Sequence, residues 1–136
     1  MKKIFKVILF SLIASNLNGF SYAAENFFNQ GLELYKEKKY EDARFMFERS
    51  IVFNPKDSNS YLYLAKIYNI EADQKKEEKN LEATLLIEPD NEEAILMSMK
   101  IALEKSNYSK VKDLSNTFTE VCKKLCNENK SILETL

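Results

Sequence analysis

The chain has 136 residues with 2 Gly, 2 Pro, no His and no Trp, is 45% apolar and 30% charged, and carries a formal net charge of -1 at pH 7. An average globular composition would give about 9 Gly and 7 Pro at this length, and this scarcity argues against hairpin-rich β folds, dinucleotide-binding domains and phosphate-binding loops, which depend on glycine. Without histidine the chain lacks the commonest general base and metal ligand, and one small helical domain is the class that remains.

The segment 1–23 has the three parts of a secretory signal peptide. Met1–Lys3 is basic, Val7–Ala14 is an apolar run, and Ser21 and Ala23 place small residues before a cleavage site. The apolar run is about half the ~20 residues that a membrane-spanning helix needs, which argues against an uncleaved anchor. We therefore predict cleavage after Ala23 and export to the periplasm or the exterior, without membrane insertion of the mature chain.

Removal of the signal peptide leaves a mature chain that begins at Ala24. Because Lys2, Lys3 and Lys6 are lost with it and no acidic residue is, the formal net charge changes from -1 to -4. Lysine and glutamate are interspersed along the mature chain, whereas nucleic-acid binding requires a concentrated basic surface. The composition therefore predicts no nucleic-acid partner.

The mature chain contains an internal repeat, whose period is the interval from Pro55 to Pro89. Asn54–Asp57 and Glu88–Asn91 each contain one of these prolines, follow an apolar run and precede a segment with apolar residues at helical spacing. Proline cannot continue a helix because it lacks an N–H group and clashes with the preceding turn, so each proline is expected to follow the end of a helix. A period of about 34 residues is typical of arrays of helix-turn-helix units.

The residues around these prolines resemble the tetratricopeptide repeat family. In this family the first helix of a repeat has a large aromatic residue, Leu, a small residue and Tyr at fixed spacing. The corresponding residues are Tyr61, Leu64, Ala65 and Tyr68 in the second repeat, and Phe27, Gln30, Gly31 and Leu34 in the first. The second helix has a small residue, a large residue and the closing proline. In the first repeat these are Ala43, Phe47 and Pro55.

The second and third repeats depart from this pattern. Glu77 stands at the position of the small residue that lets the two helices of a repeat approach, so we predict a splayed helix pair or a local register shift there. A third unit follows without a gap, and its matching residues are Ile95, Ser98, Met99, Ala102, Tyr108, Val111 and Ser115. It lacks the closing proline, and Lys123 occupies that position.

The resemblance implies an all-α fold, in which antiparallel helix-turn-helix repeats stack as a short right-handed solenoid with a short C-terminal capping helix. After the signal peptide at 1–23, the implied boundaries are repeats at 24–57, 58–91 and 92–125 and a tail at 126–136. Helices are predicted at 24–37, 41–53, 58–70, 74–87, 92–105 and 108–124. Asp90 and Glu93 are expected to form a capping box, and Asn107 to cap the last long helix. The tail either covers the open end of the stack or lies in a partner's groove.

In this family the first helices of the repeats line a concave groove that binds a ligand. The resemblance assigns to that groove Phe28, Leu32, Tyr35, Leu62, Tyr63, Lys66, Glu93, Leu96, Met97, Lys100 and Leu103. Members that bind a C-terminal carboxylate use Lys, Asn and Arg there, where this chain has Phe28, Leu32, Tyr63, Glu93 and Met97. Carboxylate capture is therefore predicted to be absent, and the apolar groove suits an amphipathic helix or an extended apolar peptide. Packing of these side chains within the protein remains the alternative.

Cys122 and Cys126 are the only cysteines, and export would place them in an oxidising compartment. Residues four apart in a helix have Cα atoms about 6 Å apart and nearly parallel Cβ vectors, so a disulfide requires the helix to fray or turn near Cys126. An intramolecular disulfide, free or intermolecular thiols, and a redox role remain open. Two thiols without histidine make only half of a zinc site, so no metal is predicted.

The remaining features favour a non-catalytic protein. The carboxylates lie in mixed-charge runs such as 75–79, where opposite charges three or four residues apart support a helix. No enzyme activity and no cofactor is predicted. The leading hypothesis is a module that binds an unidentified protein or peptide as an adaptor or assembly factor in the cell envelope, as a monomer or weak homo-oligomer. The alternatives are a structural, self-associating subunit of a larger envelope complex and a thiol-linked role at Cys122 and Cys126.

Overall fold

The computed structural model of the chain describes residues 22–134, so the predicted signal peptide lies outside the described residues except for its last two positions. Residues 22–134 form seven helices and no strand. The helices are α1 (22–36), α2 (Tyr40–Phe53), α3 (Ser58–Ile70), α4 (Gln74–Ile87), α5 (Glu92–Glu104), α6 (Tyr108–Val121) and α7 (Cys126–Leu133). None of these helices combines the length and apolarity needed to cross a bilayer. The predicted all-α fold with a short C-terminal helix is confirmed.

The turn between the two helices of each repeat has the same backbone conformation in all three repeats. One residue in each turn has a φ angle in the left-handed region, and these residues are Lys38 (61°), Ala72 (57°) and Ser106 (56°). The interval between successive ones equals the interval between the two prolines. In the second repeat the N–H of Asp73 donates to the carbonyl oxygen of Tyr68 at 2.9 Å, and the other two turns contain the equivalent bond. This is the Schellman ending of a helix, where glycine is the usual residue. The repeat is therefore visible in the backbone, although none of the three turns has a glycine.

Glycine at one of these turns is expected to stabilise the fold. A non-glycine residue in the left-handed region costs about 1–2 kcal/mol, although glycine also gives more freedom to the unfolded chain. Ala72→Gly should therefore raise the free energy of unfolding by about 1 kcal/mol, as measured by urea denaturation. Ala83→Gly, in the interior of α4, is the matched control and should lower it by about 1 kcal/mol. A lower free energy of unfolding in Ala72→Gly would contradict the free-energy cost that we assign to the left-handed conformation of Ala72.

Asparagine side chains cap two of the helices. Asn107 Oδ1 accepts the backbone N–H of Lys110 at 3.1 Å, so its predicted role as the cap of α6 is confirmed. The capping box predicted for Asp90 and Glu93 is wrong. Because α5 begins at Glu92, the capping position falls on Asn91, whose Oδ1 accepts a backbone N–H at 3.0 Å.

The chain divides into two compact units, one ending at Ser60 and the other beginning at Tyr61. In the first unit α1 and α2 approach each other closely at Gly31. A Cβ atom at this glycine would lie 2.7 Å from Cε1 of Phe47, which is shorter than real Cβ contacts. Phe47 and Ala43 are completely buried. The first unit therefore has the contact between a small and a large residue that the repeat motif predicts.

The second unit has two apolar clusters. One, the α3–α5 cluster, contains Leu62, Ala65, Leu81, Ala94 and Ile101. The other, the α5–α7 cluster, contains Ile95, Leu96, Met99, Ala102, Val111, Phe118 and Ile132. α6 was predicted to reach residue 124 but ends at Val121, because Cys122 takes extended backbone angles of -62° and 138°. This break lets the short helix α7 turn back, and its Ile132 enters the α5–α7 cluster.

Glu77, the departure from the small residue of the motif, lies within the second unit. It is only 4% exposed, and its Oε1 accepts a hydrogen bond of 3.0 Å from Nδ2 of Asn69, which joins α4 to α3. Burial raises the pKa of the Glu77 carboxyl, and the hydrogen bond from Asn69 partly opposes this rise. A buried polar contact therefore links the two helices where a small apolar residue is usual.

Candidate functional site

The second unit presents a face of mixed apolar and charged residues along α3 and α5. Glu93, Met97 and Lys100 lie on successive turns of α5, and Tyr63 and Lys66 lie one turn apart on α3. Lys66 Nζ is 2.8 Å from Glu93 Oε1, so an ion pair joins the two helices. The same ammonium lies 4.4 Å from the centroid of the Tyr63 ring. We name these five residues the α3–α5 face.

The Lys66–Glu93 ion pair leaves little net charge at the centre of this face. The Lys66 side chain is 18% exposed, and the Tyr63 ring adds a further attraction to its ammonium. A ligand carboxylate at Lys66 would also meet the negative charge of Glu93. Lys100 is exposed and forms no ion pair within residues 22–134. The same part of the chain brings together no three His, Cys, Asp or Glu side chains that could hold a metal ion.

The groove residues predicted from α3 and α5 differ in their burial. Leu62 and Leu96 are 5% and 6% exposed and belong to the two apolar clusters. Their assignment to a ligand-binding surface is corrected, because both side chains pack inside the unit. Met97 and Leu103 are half-buried and pack on the edges of these clusters, and Tyr63 is also half-buried. The surface that remains for a ligand is narrower than the sequence predicts.

The first unit contains the groove residues predicted on α1. Phe28, Leu32 and Tyr35 are all half-buried. The ring centroid of Phe28 lies 5.7 Å from that of Phe47, and the ring centroid of Tyr35 lies 5.5 Å from that of Tyr40. Both aromatic side chains therefore pack against α2 and present only part of their surface to solvent.

A pocket that the sequence does not predict lies between α6 and α7. It has a volume of about 570 Å³ and is lined by Tyr108, Lys112, Ser115, Asn116 and Leu133. Tyr108 is 57% exposed and Leu133 is 40% exposed. Leu133, a large apolar residue in the tail that follows the repeats, is the sequence signal that could have indicated it.

The likenesses to known proteins are found at the level of structure. No protein-family model matches the sequence, and comparison with curated proteins gives no match. The tetratricopeptide repeat domain of Arabidopsis OM64 matches with a TM-score of 0.72 and 17% identity, over 86% of this chain and 99% of that chain. The Yersinia enterocolitica type III secretion chaperone SycD, in complex with a peptide of the translocator YopD, matches with a TM-score of 0.73 and 17% identity. The match covers 82% of this chain and 89% of SycD. The first tetratricopeptide repeat domain of Spaghetti (RPAP3), bound to the HSP90 peptide SRMEEVD, matches with a TM-score of 0.71 and 14% identity. The match covers 85% of this chain and 94% of that chain.

These matches concern the fold, because the sequence identities are low. They agree with the three left-handed turns at Lys38, Ala72 and Ser106, which recur with the period of the sequence repeat. Together the two observations confirm the resemblance that the motifs indicate. The chain has the tetratricopeptide repeat fold, an all-α array of helix-turn-helix repeats that ends in a short C-terminal helix.

Proposed function

We propose that the chain is a non-catalytic module that binds a protein or peptide, and that it acts as an adaptor or assembly factor in the cell envelope after export. The α3–α5 face carries this proposal, because it places half-buried Tyr63 and Met97 beside a neutralised ion pair. Two structural neighbours, SycD and the Spaghetti domain, are in complex with peptides, which supports the same kind of ligand. The signal-peptide features of residues 1–23 support export.

The chemistry of the face favours an apolar peptide segment with an acidic group at one end. Tyr63 and Met97 supply a broad and polarisable apolar surface. Lys66 already has a carboxylate partner, so an acidic group gains little at the centre of the face. Lys100 lies one turn beyond Met97 and is exposed, so it can pair with an acidic side chain at the edge.

Site-specific photo-crosslinking in the native envelope tests this site. The photoreactive residue p-benzoylphenylalanine is introduced in place of Tyr63, and illumination is expected to give one discrete adduct with a partner. Adding Met97→Asp to the same chain is expected to reduce the adduct about tenfold or more, because a carboxylate on an apolar contact removes more than ~1.4 kcal/mol of binding free energy. Immunoblotting of the adduct measures both effects.

Leu86 is the matched control for this experiment. It is 85% exposed on α4, so Leu86→Asp should leave both the adduct and the helical circular dichroism unchanged. The photoreactive residue at position 86 should not give the same adduct. An adduct that persists with Met97→Asp, or that forms equally well from position 86, would show that the contact lies elsewhere.

A structural, self-associating role is the second candidate. The exposed Tyr108 and Leu133 beside the α6–α7 pocket favour it, because exposed apolar patches commonly mark interaction sites. Light scattering of the chain that begins at Ala24 separates the two candidates. A molar mass that stays monomeric over a range of concentrations would exclude self-association.

A further inference from the structure

A short loop closed by a disulfide connects α6 to α7. Cys122 follows the last residue of α6, Cys126 is the first residue of α7, and their Cα atoms are 5.3 Å apart. Cys122 is half-buried and Cys126 is exposed. The disulfide therefore fixes the beginning of α7 to the end of α6, and one of its sulfurs belongs to a residue that solvent can reach.

The backbone between the two cysteines is also bound to α5. The N–H groups of Lys123, Lys124 and Leu125 all donate to the carboxylate of Glu92, at 3.0, 3.0 and 2.7 Å. These bonds, led by that from Leu125, hold the pKa of Glu92 below its usual range, so the acceptor is ionised at neutral pH. The loop thus has two attachments, one covalent and one electrostatic.

Helix α7 is weakly held beyond this loop. It has eight residues, which is shorter than an isolated helix needs to be stable in water. Ile132 and Asn129 are its buried side chains, and Asn129 Nδ2 donates to Thr119 Oγ1 at 3.1 Å. Asn129 Oδ1 is buried and has no hydrogen-bond partner among the described residues, which costs free energy. The position of α7 therefore depends strongly on the loop that precedes it.

We propose that the Cys122–Cys126 disulfide is a redox-controlled latch on α7, opened by exchange with an external thiol. A thiolate attacks Sγ of the exposed Cys126, forms a mixed disulfide with it and releases Cys122 as a thiolate. A second thiolate attacks the external sulfur of the mixed disulfide and releases Cys126. The protein disulfide gains two electrons, the two external thiols become one disulfide, and each released cysteine thiolate takes up a proton from water.

Opening the latch releases α7 and uncovers part of the α5–α7 cluster. While the disulfide is closed, Cys126 cannot move away from Cys122, so the detached state of α7 is entropically restricted. For a closed loop of this length, the chain-entropy relation lowers the population of the detached state of α7 roughly 20- to 40-fold. Reduction should therefore increase the detached population of α7 by about this factor. The surface uncovered with Ile132 includes Val111 and Phe118.

Hydrogen–deuterium exchange of the whole chain, with and without dithiothreitol, tests the latch. Thiol titration should find no free thiol before reduction and two afterwards. On reduction, the amides of α7 are expected to exchange roughly 20- to 40-fold faster, while those of α3 and α4 keep their rates. The variant with both Cys122→Ser and Cys126→Ser should match the reduced chain in the absence of reductant.

Three outcomes would overturn the proposal. Free thiols in the unreduced chain would show that the bond is not formed. Unchanged α7 exchange on reduction would show that the disulfide does not hold the helix. Equal acceleration of amide exchange in α3, α4 and α7 on reduction would show that the disulfide stabilises the whole unit and does not act locally on α7. The reduced chain and the double serine variant are two separate tests. If the variant does not fold, the comparison of the chain with and without dithiothreitol still decides the question.

Discussion

Replacing Phe47 with alanine is expected to lower the free energy of unfolding by about 3–5 kcal/mol, the range measured for large buried aromatic residues. The Phe47 side chain is completely buried. Its ring occupies the space beside Gly31, where a Cβ atom would come within 2.7 Å of it, and it lies 5.7 Å from the ring of Phe28. Removing the ring leaves a cavity that the close helix contact at Gly31 cannot fill, because glycine has no side chain to move into it.

Urea denaturation followed by circular dichroism measures this effect, and the same helix provides a matched control. Phe45 also lies on α2 but is 54% exposed, so Phe45→Ala should change the free energy of unfolding by no more than about 1 kcal/mol. Similar losses for the two phenylalanines would contradict the packing of α2 described above. The comparison separates burial from any effect of removing an aromatic residue from the helix.

The contact between Gly31 and Phe47 could be predicted from the sequence because it belongs to the repeated motif. Each repeat must bury its helices against each other, and this requirement fixes a small residue opposite a large one. The bounds of α2, α3, α4 and α5 follow from the same periodicity to within one residue. The left-handed turn at Ala72 could not be predicted from composition, because a residue other than glycine adopts that conformation there. The turn is fixed by hydrogen bonds at the end of α3 and by the packing of the helices on either side.

The candidate site was predicted less completely, because its details depend on contacts between helices that are far apart in sequence. The motif places Leu96 and Met97 next to each other on α5, but only the packed unit shows that Leu96 enters the core and that Met97 is left half-buried. The ion pair of Lys66 with Glu93 joins residues on different repeats. Periodicity gives the face of a helix on which a residue lies and leaves its partner undetermined.

The attachment of the α6–α7 loop to α5 is a second feature that the sequence did not reveal. Glu92, the first residue of α5, accepts three backbone N–H groups from the loop that follows α6. The sequence shows an acidic residue near a helix start, which is usual for helices, and gives no sign of this second role. The third repeat lacks the closing proline of the motif, and its end is organised by Glu92, the disulfide and α7.

Replacing Phe118 with alanine is expected to lower the free energy of unfolding by about 3–5 kcal/mol as well. Phe118 is completely buried and belongs to the α5–α7 cluster together with Val111 and Ile132. Because this cluster joins α5, α6 and α7, the loss of the ring creates a cavity in it and weakens the apolar packing that holds α7. Urea denaturation measures the overall loss, and hydrogen–deuterium exchange should show that α7 loses protection before α3 and α4 do.

Tyr108→Ala is the matched control for this prediction, since Tyr108 is an aromatic residue at the other end of α6 and is 57% exposed. It should change the free energy of unfolding by no more than about 1 kcal/mol. If α3, α4 and α7 lost protection together in Phe118→Ala, the Phe118 side chain would support the whole unit and not α7 in particular. Earlier exchange of α7 would instead show that the packing of Phe118 holds α7 in place, at the end of the chain where the disulfide and Glu92 provide further attachments.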